Sequence, residues 1–252
     1  MSAQPFSGKV VLITGGTRGI GLEMVRAFAV EGASVVFSGT SEESVARAMT
    51  GLGERPSLRG VAADLADPAA PARLVSSAAA QQAFGGLDVL INNAGITGPA
   101  DLWAIDAAEW DRVQAVNLRA AFFCAREAVG LMRARGGGCI INIASVAGQI
   151  GGAATGPAYV AAKAGMIGLT RSLARHFAPF GVRVNCIAPA DIETDMTSGW
   201  SDALRDRLKA MTPLGRFGRV DEVSGAALFL AGPASTFITG QTLNVNGGIY
   251  MG

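Results

Sequence analysis

Tyr159 and Lys163 stand four residues apart in Tyr159-Val160-Ala161-Ala162-Lys163, a spacing that sets both on one face of a helix. A free tyrosine has a pKa of about 10, too high for easy proton exchange at neutral pH. A neighbouring ammonium favours the phenolate and lowers that value. A shift of about three units corresponds to about 4 kcal/mol of differential interaction. The pair reads as a proton donor and its tuner. Alone, such a pair is better explained by an ordinary helix with an exposed lysine. Two companions change the balance: Ser145, fourteen residues before Tyr159, and a glycine-rich loop near the start of the chain. The loop is Thr14-Gly15-Gly16-Thr17-Arg18-Gly19-Ile20-Gly21. Its glycines let backbone N–H groups approach a pyrophosphate, and the following helix N-terminus supplies positive potential. The spacing is G-x-x-x-G-x-G, not the usual G-x-G-x-x-G, and a tight structural turn is the bland alternative.

These residues need a frame. Lys9-Val10-Val11-Leu12-Ile13-Thr14 is a continuous apolar run of the kind buried on both faces of a parallel sheet. Further strands are predicted at 34–37, 58–63, 87–91, 139–144, 182–188 and 242–245. Helical patterns lie between them at 21–32, 42–51, 68–84, 107–135, 157–177 and 221–231. This alternation predicts an α/β fold: a doubly wound, Rossmann-type parallel sheet of about seven strands with helices on both faces. No linker divides the chain, so residues 1–252 read as a single domain. Residues 194–219 break the rhythm, with Met196, Trp200, Met211 and Leu214 set among charges. They follow the sixth strand, at the sheet edge where ligands bind, and read as a substrate lid. A passive surface excursion is the alternative.

Composition narrows the function classes. The 252 residues are half hydrophobic and carry a net charge of +1. With no long basic run, nucleic acid is a poor candidate partner. The first nine residues lack the charged head and apolar body of a signal peptide, and no apolar run is long enough to span a bilayer. Cys124, Cys139 and Cys186 are widely spaced and read as reduced core residues of a cytoplasmic protein. The lone His176 lies near a helix end, where a capping or packing role suits it. No metal site is expected. Asp191, Glu193 and Asp195 read as a solvated turn rather than a cation site.

Asn92-Asn93-Ala94-Gly95 follows the fourth strand, where amides could hold a ribose and small residues leave room for a flat cofactor. Asp64 ends the third strand and could accept from an adenine amino group, or equally serve a local turn. Together these pieces resemble the short-chain dehydrogenase/reductase family over essentially the whole chain. The resemblance rests on residues 14–21 and 92–95, Asn117 in Val116-Asn117-Leu118, Ser145, Tyr159 with Lys163, Pro189, Thr194 and Gly247-Gly248. Ile192-Glu193-Thr194-Asp195-Met196 and the closing Asn246-Gly247-Gly248-Ile249-Tyr250-Met251 are most similar to the branch of 3-oxoacyl-acyl-carrier-protein reductases.

The resemblance implies a role for each matching residue. Tyr159 would exchange a proton with the substrate oxygen and Ser145 would hold that oxygen. Lys163 would grip the nicotinamide ribose and lower the pKa of Tyr159. Asn117 would sit at a helix irregularity and hold a relay water. Cofactor contacts would come from Gly15, Thr17, Arg18, Gly19, Ile20, Gly21, Thr40, Asp64, Leu65, Asn93, Ala94, Gly95, Tyr159, Lys163, Pro189, Ile192 and Thr194. The implied reaction is reduction of a ketone or acyl-thioester by NADP(H), in a homotetramer built from the long central helices. For that assembly, Leu118, Ala121, Phe122 and Ala125 read as one apolar stripe, with Cys124 pointing elsewhere. The small residues Ala161, Ala162, Ala164, Gly165 and Gly168 would permit close helix approach.

NADP(H) is preferred over NAD(H) because Phe37-Ser38-Gly39-Thr40-Ser41 carries no acid where an NAD enzyme binds the ribose 2′-OH. Thr40, Ser41 and Arg18 could instead meet a 2′-phosphate. The rival readings are an NAD-dependent dehydrogenase of a secondary or sugar alcohol, and a nonenzymatic dinucleotide-binding sensor or scaffold. Two departures from the family pattern stand out in Pro189-Ala190-Asp191. Alanine replaces a glycine that often uses positive φ, which would strain it. Asp191 sits where a greasy acyl substrate would prefer an apolar side chain. It should face water, pair with Arg216 or Arg219, or meet a polar group on the substrate.

Overall fold

The structure, a computed structural model, describes residues 4–53, 55–80, 84–152 and 154–252, with the side chains of residues 78–80 and Met196 also outside the description. Chain order is β1 (Val10–Ile13), α1 (Gly19–Val30), β2 (Ser34–Gly39), α2 (Glu42–Leu52), β3 (Leu58–Ala62), α3 (Ala70–Ala80) and β4 (Val89–Asn92). Then come α4 (Ala107–Gln114), α5 (Ala120–Ala134), β5 (Gly138–Ile143), α6 (Ala147–Ile150), α7 (Pro157–Phe177) and β6 (Val182–Pro189). The chain finishes with α8 (Asp195–Ser198), α9 (Asp202–Met211), α10 (Val220–Ala231) and β7 (Thr242–Val245). The strands form one parallel sheet in the order β3-β2-β1-β4-β5-β6-β7.

Strand β1 shows why the sheet is covered on both sides. Its four residues are at most 1% exposed, and successive side chains face opposite ways. Val10 and Leu12 join Leu74, Cys124, Met132 and Leu173, from α3, α5 and α7. Val11 and Ile13 join Met24, Phe28, Val223 and Leu230, from α1 and α10. A strand with no polar face needs two helical layers, which places β1 in the middle. The chain runs outward from β1 to β3 and then crosses to β4, leaving a crevice at the carboxyl ends of β1 and β4. At the other end of the sheet Asp88 accepts from the Val10 amide at 2.9 Å and pairs with Lys9 and Arg135.

Departures from the predicted elements have local causes. The helix predicted at 68–84 begins at Ala70, because Asp67 turns the chain by accepting from the Ala69 amide at 2.9 Å; residues 81–83 of the predicted span lie outside the described residues, and Phe84, its predicted end, is in a turn. The helix predicted at 107–135 carries a π turn over Ala115–Arg119, where the Ala120 amide donates to the Ala115 carbonyl. The predicted apolar stripe needs correction. The buried face of α5 is Ala120, Ala121, Cys124, Ala125, Ala128 and Met132. Cys124 is fully buried while Phe122 is 37% exposed, because the centre of the sheet-facing side falls on small side chains that fit a close-packed layer.

Residues 194–219 hold α8 and α9. Trp200 meets the buried Phe217 edge-on at 6.1 Å, and Arg205 lies over the same ring. The segment leaves and returns at one point: Gly218 N–H donates to Asp191 C=O and Glu193 N–H to Gly218 C=O, both at 2.9 Å. Among the described residues, no helix is long and apolar enough to cross a membrane.

Candidate active site

The carboxyl ends of the strands open on a cleft of about 510 Å³, within the range of small-molecule sites. Every residue predicted to contact a cofactor lines it, as do Ser145, Tyr159 and Lys163.

At one end the glycine loop is held from behind. Gly15 N–H donates to Ser38 Oγ at 3.2 Å and Gly16 N–H to the Ser38 carbonyl at 2.8 Å. Thr14 Oγ1 accepts from the amides of Asn93 and Ala94, each at 3.0 Å. Asn93 Nδ2 donates to the carbonyls of Thr14 and Gly15, both at 3.0 Å. The Asn93 amide is thus a loop brace. Asn92 is deeper still: its Nδ2 donates to Asn142 Oδ1, whose own Nδ2 donates to Thr170 Oγ1, both at 2.9 Å. Its amide is therefore turned away from any ribose. Sequence reasoning missed Thr14, Ser38, Asn142 and Thr170, since a polar residue at the end of a buried strand carries no mark of its partner.

This end fits a dinucleotide phosphate. Helix α1 starts at Gly19 with no side-chain cap and no acid in its first turn, so its amide groups and dipole face the cleft. A Cβ on Gly21 would lie 2.1 Å from the Gly15 carbonyl oxygen, so only glycine allows the loop to fold back on the helix. Arg18 and Thr40 are exposed, and Arg18 makes no ion pair among the described residues. The Ser41 hydroxyl is occupied, accepting from the Ser44 amide at 3.2 Å to cap α2. Asp64 accepts from the Ala66 amide at 3.0 Å, which leaves its other carboxyl oxygen outward.

At the other end, α7 begins with Pro157 after Gly156 and carries Tyr159 and Lys163 past the end of β5. Lys163 is 3% exposed; its Nζ donates to the Ile143 carbonyl at 2.6 Å and lies 5.5 Å from the centre of the Tyr159 ring. Burial lowers the Lys163 pKa to about 8, opposed by Cys186. Burial raises the pKa of Tyr159; a hydrogen bond with Ser145 lowers it and the charge of Asp191 raises it further, for a net upward shift. Burial of both side chains thus opposes the expected downward tuning of Tyr159 by Lys163. An apolar environment disfavours both the phenolate and the ammonium, and the ammonium is turned to a carbonyl.

Asn117 lies in the π turn, the predicted helix irregularity, but does not line the cleft. It is fully buried and brackets Ile96, accepting from its amide and donating to its carbonyl, both at 2.8 Å. A Cβ on Gly95 would lie 3.0 Å from Asn117 Oδ1 and 3.5 Å from Lys163 Nζ. Glycine thus leaves a bare floor before the lysine, which a flat ring and its ribose fit.

Several cleft residues had no sequence signal: Ile150, Thr155, Leu208 and Ile249 join Trp200 and Met211. Ala190 is unstrained, since positive φ among the described residues is confined to glycines. The expected pairing of Asp191 is absent. Arg216 pairs with Glu222, Arg219 with Asp221, and Arg205 with Glu193. All three cysteines are buried free thiols with pKa values pushed up to about 11 or 12 by burial.

Known proteins are similar to this chain. A family model described as enoyl-(acyl carrier protein) reductase matches residues 15–250. A 3-oxoacyl-[acyl-carrier-protein] reductase FabG of Vibrio cholerae is 41% identical, over 97% of this chain and 98% of that one. The Escherichia coli protein of the same name is 39% identical over 98% and 99%. A solved structure from Brucella melitensis, described as a short-chain dehydrogenase/reductase and glucose/ribitol dehydrogenase, superposes with a TM-score of 0.90. It is 32% identical and covers 98% of this chain and 99% of its own. The chain belongs to the short-chain dehydrogenase/reductase family of oxidoreductases.

Proposed function

We propose that this chain is a cytoplasmic NADP(H)-dependent reductase that converts a ketone, a 3-oxoacyl thioester or a similar compound, to a secondary alcohol. The observation that most supports this reading is the meeting of Ser145, Tyr159 and Lys163 at one end of a cleft whose other end is the open α1 N-terminus. The family description speaks of an enoyl group and the relatives' names of a 3-oxo group. We take the 3-oxo group, because the relatives bearing that name match over nearly the whole of both chains.

The bound nicotinamide supplies a hydride to the carbonyl carbon. Tyr159, kept protonated by its surroundings, donates its phenolic proton to the carbonyl oxygen. Ser145 donates a hydrogen bond to the same oxygen and fixes its position. Lys163, whose Nζ donates to the Ile143 carbonyl, would hold the ribose hydroxyls of a bound dinucleotide. Asn117 acts from behind by fixing Ile96. Gly15, Gly19 and Gly21 shape the phosphate cradle, and Arg18 with Thr40 meets the 2′-phosphate. Pro189, Ile192 and Thr194 line the nicotinamide end, and Leu65, beside Asp64, lines the adenine end. Residues 194–219 act as the lid. The exposed Phe122, Ala164 and Gly168 are available to a second copy in a homotetramer.

The test is cofactor oxidation by purified protein with an acetoacetyl thioester and a panel of ketones, using NADPH and NADH in parallel. Turnover with a higher kcat/KM for NADPH is expected. Dinucleotide binding without turnover of any ketone would leave the sensor reading, and a clear preference for NADH would leave the alcohol-dehydrogenase reading.

A further inference from the structure

Asp191 follows β6 immediately and lines the same cleft as Ser145 and Tyr159. Its backbone is fully used: the carbonyl accepts from Gly218 N–H at the base of the lid segment. Its side chain is only half exposed, and a carboxylate removed from water without a partner is costly. Three arginines of the lid segment, Arg205, Arg216 and Arg219, are taken by Glu193, Glu222 and Asp221. Arg112, which also lines the cleft, is held by both oxygens of Glu109 at 2.8 and 2.9 Å. Burial raises the pKa of Asp191 with no compensating cation, and its charge reaches Tyr159. A second polar side chain lining this part of the cleft, Thr155, also has a buried hydroxyl without a partner among the described residues. The surrounding walls are apolar, with Ile150, Trp200, Leu208 and Met211. A lone acceptor among apolar walls, beside the proton donor, discriminates by what the substrate carries near its carbonyl.

We propose that Asp191 is a specificity residue that selects ketones bearing a hydrogen-bond donor, an ammonium or a hydroxyl, close to the reacting carbonyl. The inference rests on the ketone-reductase reading and names the substrate class within it. A substrate donor gives Asp191 the partner that the protein withholds. A methyl in the same place leaves the carboxylate desolvated and unpaired, which a site built around a polar group rejects strongly.

The experiment compares three ketones of matched length, with an ammonium, a hydroxyl or a methyl at the same position next to the carbonyl. Each is reduced by wild type, Asp191→Asn and Asp191→Leu, with both reduced cofactors. The readout is the ratio of kcat/KM between substrates within one preparation, which does not depend on how much of a variant folds. Wild type should favour a donor-bearing ketone over the methyl ketone by about 10–100-fold, the range of a charge-assisted hydrogen bond. If the donor is an ammonium, Asp191→Asn should remove most of that ratio. If it is a hydroxyl, Asn should retain much of it and only Leu should abolish it. Ratios near one in wild type, or unchanged by both variants, overturn the inference while leaving the reductase reading intact. Failure of all three ketones, and of the acetoacetyl thioester, with either cofactor overturns both.

Discussion

The two ends of the cleft are built on opposite principles. At the glycine-loop end the protein satisfies its own polar groups: Thr14, Ser38 and Asn93 all bond to loop backbone. The open positive groups there are the α1 N-terminus, which has no side-chain cap, and the exposed Arg18. At the β6 end the unpaired group is the Asp191 carboxylate, next to a phenol held protonated. One end is a rigid, finished receptor for an anion; the other leaves a polar requirement open for the substrate to meet. Within one fold, the part that binds a common cofactor can be fully self-braced. The part that chooses a substrate carries its information as an unsatisfied group.

The sharpest break comes from Tyr159→Phe, which removes only the hydroxyl. Turnover should fall by about 10²–10⁴-fold, the range of lost acid–base catalysis, while dinucleotide affinity persists. Near-normal turnover in steady-state assays would remove the β6 end from the chemistry. Gly21→Ala attacks the other end. The added methyl would lie 2.1 Å from Gly15 O and 2.5 Å from Asn93 Nδ2, so the loop must move. Calorimetric titration should show dinucleotide binding weakened by about 10–100-fold, as expected for about 1–3 kcal/mol of overpacking.

Lys163 links the two ends through pH. Its folded pKa of about 8 lies below the ordinary lysine value of 10.5. The native chain therefore binds fewer protons than the unfolded chain between those values. The cost of burying the ammonium is fully present below about pH 8 and disappears as pH rises through the window. Lys163→Met should thus be inactive but more stable than wild type near neutrality, by about 1–3 kcal/mol. Urea unfolding of the cofactor-free proteins should show that advantage shrinking toward about pH 10; a gap independent of pH would mean that folding leaves the lysine pKa unshifted.

Arg18→Ala should cut the NADPH-over-NADH ratio of kcat/KM by about tenfold, the lower value for an exposed charge-assisted contact. An unchanged ratio would place the discrimination elsewhere on the β2 side. The smallest effect belongs to Asp191→Asn on the pH profile. Its negative charge raises the pKa of Tyr159, and reduction needs the phenol protonated. Removing the charge should move the alkaline limb of kcat/KM to lower pH by less than about one unit. A shift to higher pH would contradict the electrostatic reading.

Most of the frame was legible before any coordinates. Val10, Val11, Leu12 and Ile13 announce a strand with two buried faces, and residues 14–21 announce a phosphate loop. Both signals are local: a run of apolar side chains, or glycines at fixed offsets, constrains its own backbone. Helix phase was less secure. The face of α5 that packs on the sheet is chosen by side-chain size against a surface that periodicity alone does not describe, so Ala121 and Ala125 are buried with Cys124 while Phe122, read on the same stripe, is exposed. Asn93 was found, yet its amide braces the loop, because a side chain's partner 78 or 79 residues away leaves no trace in the local pattern.

The sequence by itself determined the alternation of strands and helices, the cofactor loop and the set Ser145, Tyr159 and Lys163, since each is encoded by spacing along one segment. Only the tertiary structure decided how those groups are poised. It buried Lys163 against the Ile143 carbonyl, pushed the Tyr159 pKa upward and paired Arg205, Arg216 and Arg219 with carboxylates other than Asp191. Ionisation and pairing depend on solvent exclusion and on groups brought together through space, and these are properties of the packed chain rather than of any stretch of it.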